Sequence, residues 1–464
     1  MRKTLAALVL TTACAPLAEP ATMASGTAAA LPQPAPDLLP VTRAAGLPAG
    51  RSNAEMAADF LDLEFQMESG RRLPRLTRFE GPVTIGFTDA APETAQADLA
   101  ALVRRIRTEA GIDLRLVGAS DLPQIAIAFS TRADLRQLVP TAACFVVPGV
   151  TSLAEYRARR GAAALDWSQM TFRSRAAIFL PADTSPQEMR DCLHEEVAQA
   201  LGPLNDLYRL PDSVFNDDNF LSVLTGFDML VLRIHYAPEL ASGMTEAEVA
   251  ARLPAILARL NPAGQTGPAP VPRDTPRAWI AAVEQALGPA DRAPPGRGQD
   301  DRVTAARRAL ALAQAQGWHD SRLGLAWFAL GRALTPSDPT QAESAYVAAH
   351  AAYAQLPDGG IHAAHVAMQL AALDLGLGKF DAALAWTASA RPALAAARSP
   401  ALEATLLLID AAVAEVRGET ARAAALRLDS AALARYGFGA PGNAARREVE
   451  IARLAAKGQQ AAGG

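Results

Sequence analysis

The spacing of hydrophobic residues divides the chain into a first part that mixes strands with helices and a second part that is almost purely helical. Apolar residues alternate with small or polar ones over 82–88, which is typical of a strand. Residues 92–110 carry apolar side chains at helical spacing, and the pattern stops at Gly111. Further strand-like runs cover 112–117, 124–129 and 176–180. This part is therefore predicted to combine a sheet with long helices.

A polar helix follows the last of these strands. Ser185 can cap it, Pro186 suits the first helical position, and Glu188 completes the spacing of a capping box. Gly202 and Pro203 break the pattern and end the helix.

At about 100° per residue, this helix has two distinct faces. The packing face is predicted to consist of Leu193, Val197, Ala200, Leu201 and Leu204. The second face is predicted to consist of Cys192, Glu195, Glu196 and Gln199. His194 points away from the second face, so the pair His194–Glu195 is out of place for a metal site.

The polar face has the spacing of the extended zincin signature H-E-x-x-H-x-x-G-x-x-H/D. In that frame Glu196 stands at the position of the general base, and Gly202 is in register. The candidate metal ligands are Glu195, Gln199 and Asn205, or Asp206 in place of Asn205. Zinc prefers Cys, His and carboxylate ligands, whereas amide oxygens suit harder cations. We therefore expect no cofactor, with a weakly held calcium or magnesium ion as the alternative.

A second helix downstream opens with a T-x-x-D capping box, formed by Thr225 and Asp228, and reaches Tyr236. It resembles the helix that follows the active-site helix in metzincin peptidases. The resemblance implies a degenerate metzincin-like α+β domain over 53–260, with Gly202, Met229 and Tyr236 in structural roles. Met229 would form the hydrophobic floor below the site, although core packing explains it equally well.

Two sequence runs also resemble a bacterial family of secreted proteins without an established activity, family 2927 of the domains of unknown function. The pattern C-L-x-E-E-x-x-Q-x-L-G-x-x-N-D covers 192–206, and S-x-F-N-D-D covers 213–218. The resemblance extends over about half of the chain and implies no particular reaction.

The second part of the chain is predicted to be a tetratricopeptide-like (TPR-like) array over 303–458. Residues 327–331 match the opening of such a repeat, and similar second-helix starts recur about every 40 residues. The alternative is a plain alanine-rich helical bundle. Residues 261–302 are rich in Pro and Gly and are predicted to be a linker with one short helix.

The amino terminus has the pattern of an export signal. Two basic residues precede a short apolar run, and residues 1–14 end like a bacterial lipobox at Cys14. The alternative is ordinary cleavage near Ala24. Residues 15–52 are rich in Pro and Ala and are predicted to be a disordered tether. We therefore expect a periplasmic lipoprotein that is anchored to the membrane.

The remaining cysteines, Cys144 and Cys192, form an even pair in an oxidising compartment. They are predicted to form a disulfide, and two buried free thiols are the alternative. The net charge is only −4 without a basic block, which argues against nucleic-acid binding. No glycine-rich phosphate loop is present in the sequence.

Two functions follow from these patterns. The first is a non-catalytic zincin-like domain joined to a TPR-like domain that binds an envelope protein or peptide. The second is an atypical metal-dependent hydrolase, a peptidase, with Glu196 as general base.

Overall fold

The computed structural model describes residues 41, 51–140, 142–216, 218, 220–267, 274–288 and 299–463. The predictions for the export signal 1–14 with Cys14, and for nearly all of the tether 15–52, fall outside these residues. Among the helices that are described, none is long and apolar enough to cross a membrane.

A five-stranded sheet forms the centre of the amino-terminal region. Its strands are β1 (Val83–Phe87), β2 (Leu114–Leu116), β3 (Ile125–Ser130), β4 (Phe145–Pro148) and β5 (Ala176–Pro181). The strand order is β2-β1-β3-β5-β4, in which the edge strand β4 alone runs antiparallel to its neighbour. Strand β5 is buried at every position because both faces of the sheet are covered.

Seven helices surround this sheet in the described part of the amino-terminal region. They are α1 (Asn53–Glu64), α2 (Glu93–Arg105), α3 (Arg132–Leu138), α4 (Leu153–Arg159), α5 (Pro186–Leu201), α6 (Gly226–His235) and α7 (Glu246–Leu260). Helices α2 and α5 pack together on one face, where Ile127 and Ile178 join the main core. Helices α3 and α4 supply apolar residues to the other face, around Phe179.

The carboxyl-terminal region is all-helical in its described residues. Its helices are α8 (Arg277–Leu287), α9 (Gln299–Ala315), α10 (Ser321–Leu334), α11 (Pro339–Ala354), α12 (Gly360–Gly376), α13 (Phe380–Ala397), α14 (Pro400–Val416), α15 (Thr420–Phe438) and α16 (Pro441–Ala462). The helices pack in the successive pairs α8/α9, α10/α11, α12/α13 and α14/α15, and the last three pairs have the most extensive contacts. Small residues allow this close approach: a Cβ atom on Gly331 of α10 would stand 2.6 Å from the ring of Tyr346 on α11.

The first helix of each pair also contacts the amino-terminal region. The ring of Tyr208 packs edge-on against Trp279 of α8, with 5.3 Å between the ring centres. The hydroxyl of Ser321 on α10 donates a hydrogen bond to the Tyr208 carbonyl. On α14, the Ala401 N–H donates to the side-chain oxygen of Gln187 on α5 over 2.8 Å. The two regions therefore share one continuous buried interface.

Phe220 packs among aromatic rings of the helical region. Its ring lies 4.9 Å from Phe328, 5.2 Å from His362, 5.0 Å from His365 and 6.1 Å from Tyr353, measured between ring centres. All four partners belong to the helical region, so Phe220 attaches its part of the chain to that region.

A second contact joins the last helical pair to α2. The Tyr436 hydroxyl donates a hydrogen bond of 2.6 Å to the Asp98 carboxylate, and the Arg190 guanidinium lies 5.7 Å from the centre of the Tyr436 ring. Burial raises the pKa of Asp98 to about 6. Both ends of the helical region are thus attached to the sheet-containing region.

The structure confirms the coarse architecture that the hydrophobic pattern predicts, an α/β region followed by an all-helical region. The second-helix starts predicted near 341, 380 and 420 fall in the first turns of α11, α13 and α15. The short helices α3 and α4 were not predicted, because each spans only seven residues.

Candidate functional site

Helix α5 carries the candidate site, and both of its ends are fixed by side chains. The Ser185 hydroxyl accepts a hydrogen bond from the Glu188 N–H, as predicted. The capping box is only half formed, because the Glu188 carboxylate pairs with Arg132 over 2.6 Å. At the other end, the buried Arg173 guanidinium donates to the carbonyls of Gln199 (2.6 Å), Ala200 (2.8 Å) and Gly202. These bonds satisfy carbonyls that have no partner inside the helix.

The predicted packing face of α5 is confirmed for Leu193, Val197, Ala200 and Leu201, which are buried in the main core. Leu204 was placed on this face as well, but it lies beyond the end of the helix and packs in a separate cluster with Leu73 and Trp167. On another face, Cys192 and Glu195 line a cavity of about 100 Å³ between α5 and the helical region. The helices α12 and α14 form the opposite wall of this cavity through residues such as Met368 and Thr405.

The Glu196 carboxyl lies inside the protein. The residue is buried, and its Oε2 atom has no hydrogen-bond partner among the described residues. Burial raises the pKa of Glu196 well above its usual range, and the negative charges of Glu195 and Glu68 raise it further. Burial therefore favours the protonated form of Glu196, whereas a general base has to be ionised.

The side chain of Asn205, the third predicted metal ligand, forms a structural hydrogen bond. The Asn205 side-chain N–H donates to the Asp62 carbonyl of α1 over 2.9 Å, which attaches the end of the site to another helix. Gln199 is buried beside the end of α5, and Asp206 is half-buried.

Among the residues described here, no group of three or more His, Cys, Asp or Glu side chains is placed to hold a metal ion. A carboxylate with two amides is a poor donor set for zinc, which prefers thiolate, imidazole and carboxylate. The residues at the zincin positions therefore do not fit zinc.

The histidines of α5 and α6 are part of the protein core. The His194 Nδ1 atom accepts a hydrogen bond from the Leu224 N–H over 3.0 Å, and burial lowers the pKa of His194 well below its usual range. His235 is fully buried, and its Nδ1 atom lies 2.6 Å from the Glu64 carboxylate of α1. Neither ring belongs to the face that carries Glu195.

The residues that the metzincin resemblance marks as structural are all well packed. The Tyr236 hydroxyl donates to the Leu201 carbonyl over 3.0 Å, and Met229 is buried in the main core. A Cβ atom on Gly202 would stand 3.2 Å from the Leu232 side chain. The T-x-x-D capping box of α6 is complete, with Thr225 and Asp228 exchanging hydrogen bonds.

The predicted disulfide is confirmed. Cys144 and Cys192 are bonded over 2.00 Å and join the residue before β4 to the middle of α5. Both sulfur-bearing residues line the interregion cavity. The disulfide therefore fixes one wall of that cavity.

Sequence reasoning did not find the opposite wall of the cavity. Asn216, which lies in the second family-like run, lines the cavity together with His365 of α12. The pattern S-x-F-N-D-D contains Asn216 and could have marked it as a candidate site residue. No local pattern marks His365, because its partners come from a distant part of the chain.

The comparisons with known proteins leave the activity unassigned. No curated protein and no solved structure matches this chain. Residues 53–255, the sheet-containing region, match the model of a family described as "Protein of unknown function (DUF2927)".

Proposed function

We propose that the chain is an exported binding module of the cell envelope, attached to the membrane through a lipid on Cys14. Its α/β region is a zincin-like domain that does not hydrolyse peptides. Its TPR-like helical pairs bind an envelope protein or peptide. The observation that carries this proposal is the segment around Phe220, which the helical region already holds between four aromatic rings.

The order of elements supports the zincin resemblance. Strand β1, the long helix α2, further strands and then α5 follow one another in the order that the resemblance implies. Helix α6 supports it as well, since its complete capping box and Tyr236 stand where the metzincin-like helix requires them.

The chemistry of α5 supports a binding role. Burial of Glu196 raises the pKa of its carboxyl and disfavours the ionised form that a base needs, and Asn205 uses its amide to attach α1. The helical region also packs across α5, so the face with Glu195 opens into a small cavity and not into a long cleft.

The first helix of each pair contacts the amino-terminal region, so we expect a partner to bind the second helices, here called the outer helices. Val347 on α11 is an exposed large apolar residue, with 44% of its surface accessible, and Leu428 on α15 is 76% accessible. These positions are where we place the contact with an envelope protein.

The alternative is a hydrolase that uses Glu196. One observation favours it: the Glu196 Oε2 atom is buried without a partner among the described residues. Burial of an unpaired polar atom lowers the stability of the fold, and such groups cluster at active sites.

The experiment that tests the binding proposal places a photo-crosslinking amino acid at position 347 in the full-length exported chain. Position 116 on the edge strand β2 is the matched control, since Leu116 is 47% accessible. We expect a discrete crosslinked product in the envelope from position 347 and none from position 116. Equal products at both positions, or none at either, would contradict the proposal.

Hydrolysis is tested separately on the purified chain with an unstructured protein substrate, with and without added zinc or calcium. We expect no turnover under any condition. Turnover that disappears in Glu196→Gln would establish the alternative.

A further inference from the structure

The cavity between α5 and the helical region is a built site that the proposed function does not use. It has a volume of about 100 Å³, and its walls come from both regions of the chain. For comparison, an apolar cavity of about 150 Å³ binds benzene, so this one suits a ligand of about four to six heavy atoms. Its edge is formed by half-buried residues, among them Asp191 and Glu195, which give access from solvent.

Two buried polar atoms on its walls lack partners among the described residues, the Oδ1 atom of Asn216 and the Nδ1 atom of His365. Asn216 is only 3% exposed and His365 only 5%. The Asn216 amide N–H groups are already used, because they donate to the Leu210 carbonyl (2.6 Å) and to Asp218 (3.0 Å). The unpartnered Oδ1 atom of Asn216 is therefore available as a hydrogen-bond acceptor.

The same reasoning fixes the tautomer of His365. Burial lowers its pKa to about 3, so the ring is neutral, and it hydrogen-bonds to the backbone of Phe220. The Phe220 N–H already donates to Asp218 over 3.1 Å, which leaves the Phe220 carbonyl as the partner of the ring. His365 must then donate through Nε2, and its unpartnered Nδ1 atom is a second acceptor.

Three carboxylates line the cavity. Glu188 pairs with Arg132 over 2.6 Å, Asp191 pairs with Arg190 over 2.8 Å, and Glu195 is the third. Arg447 also lines the cavity and pairs with Glu450 over 3.3 Å. The remainder of the lining is apolar and includes Phe220, Leu221, Met368, Leu402 and Phe438. A ligand that satisfies this site needs several hydrogen-bond donors, a positive charge and a short apolar part.

We propose that this cavity binds a primary ammonium group on a short alkyl chain, with Asn216 Oδ1 and His365 Nδ1 as acceptors and Glu195 supplying the negative charge. An ammonium has three donors and no acceptor, which matches two orphaned acceptors and a carboxylate. The alkyl chain then lies against Met368 and Leu402. The site does not depend on the envelope partner, since that partner contacts the outer helices.

The test uses n-butylammonium as the probe and n-butanol, its neutral analogue of similar size, as the control. Binding to the full-length chain is measured by titration calorimetry and by the NMR shift of the Met368 methyl group. The Met56 methyl group, which is buried in the main core away from the cavity, serves as an internal reference. We expect n-butylammonium to shift Met368 and to bind at least tenfold more tightly than n-butanol.

Variants at two acidic positions separate the site from a general effect of charge. Glu195→Gln is expected to weaken n-butylammonium binding at least tenfold. Glu93→Gln, which removes the same charge from an exposed position in the first turn of α2, is expected to leave it unchanged. Binding of neither probe would show that the cavity holds water only, and would overturn the proposal. Equal binding of the two probes, or equal loss in both variants, would overturn it as well, because the site would then not recognise the ammonium charge.

A blocked tripeptide with a central lysine distinguishes the source of the ammonium group. Tighter binding of the tripeptide than of n-butylammonium assigns the site to a lysine side chain of a partner. The opposite order assigns it to a small free amine. Either order supports the ammonium site itself.

Discussion

The attachment of the segment around Phe220 can be tested by a single substitution, Phe220→Ala. The Phe220 ring is 4% exposed and is surrounded by Phe328, Tyr353, His362 and His365 of the helical region. The substitution leaves a cavity among these four rings, each of which belongs to a packed helix.

The expected loss in the free energy of unfolding is about 3 to 5 kcal/mol, the range for removal of a buried phenylalanine side chain. The lower end would apply if the segment collapses into the space. Aromatic pairs of this geometry add about 0.5–1.5 kcal/mol beyond their buried area, which favours the upper end.

The assay is unfolding in guanidinium chloride, followed by the fluorescence of Trp279 and Trp318. Both indoles are buried in the helical region, with their ring centres 5.5 Å apart. The matched control is Phe172→Ala, since Phe172 is 56% exposed and should change the free energy by less than about 0.5 kcal/mol.

A loss below about 1 kcal/mol for Phe220→Ala, or the same loss in the control, would refute the attachment. The segment would then lie on the helical region without being held by it.

Three further substitutions test the buried charges and the disulfide. Burial raises the pKa of Asp98 to about 6 from 3.8, so the folded chain binds the extra proton and stability falls as pH rises from about 4 to 6. Asp98→Asn should therefore stabilise the chain by roughly 3 kcal/mol at pH 8 and little at pH 4, measured by denaturant unfolding, and equal effects at both would contradict this. Replacing Cys144 and Cys192 together by Ala should cost about 4 kcal/mol in the same assay, because the bond closes a loop of 48 residues; a loss below about 1 kcal/mol would refute it. Glu196→Gln should raise the melting temperature at pH 8, because burial raises the pKa of that carboxyl; a fall would show that its charge is satisfied.

The features of α5 that depend on local chemistry could be predicted from the sequence. Ser185 and Gly202 set the bounds of the helix, and the helical phase separates Leu193 and Val197 from Glu195. The same logic predicted the α6 capping box, since Thr225 and its partner are only three residues apart. Short-range hydrogen bonds and one periodicity were sufficient for these elements.

The orientation of the site could not be predicted in this way. Glu196 and Gln199 share a helical face with Glu195, but the surrounding elements bury them while Glu195 reaches the cavity. The use of Asn205 depends on a carbonyl of α1 that is 143 residues away in the sequence. The burial of His235 could not be predicted either, because the Glu64 carboxylate beside it lies on α1, 171 residues away in the sequence.

The hydrogen bond between Tyr436 and Asp98 spans 338 positions of the chain. During synthesis the amino-terminal region emerges first, and α2 has no partner for that surface until the last helical pair has been made. Contacts of such long separation form late in folding. A product shortened before α15 would lack this closure and leave α2 and α5 partly uncovered, which makes it a substrate for quality-control proteases. We therefore expect products that lack the last helices to be cleaved by proteases more readily than the full chain.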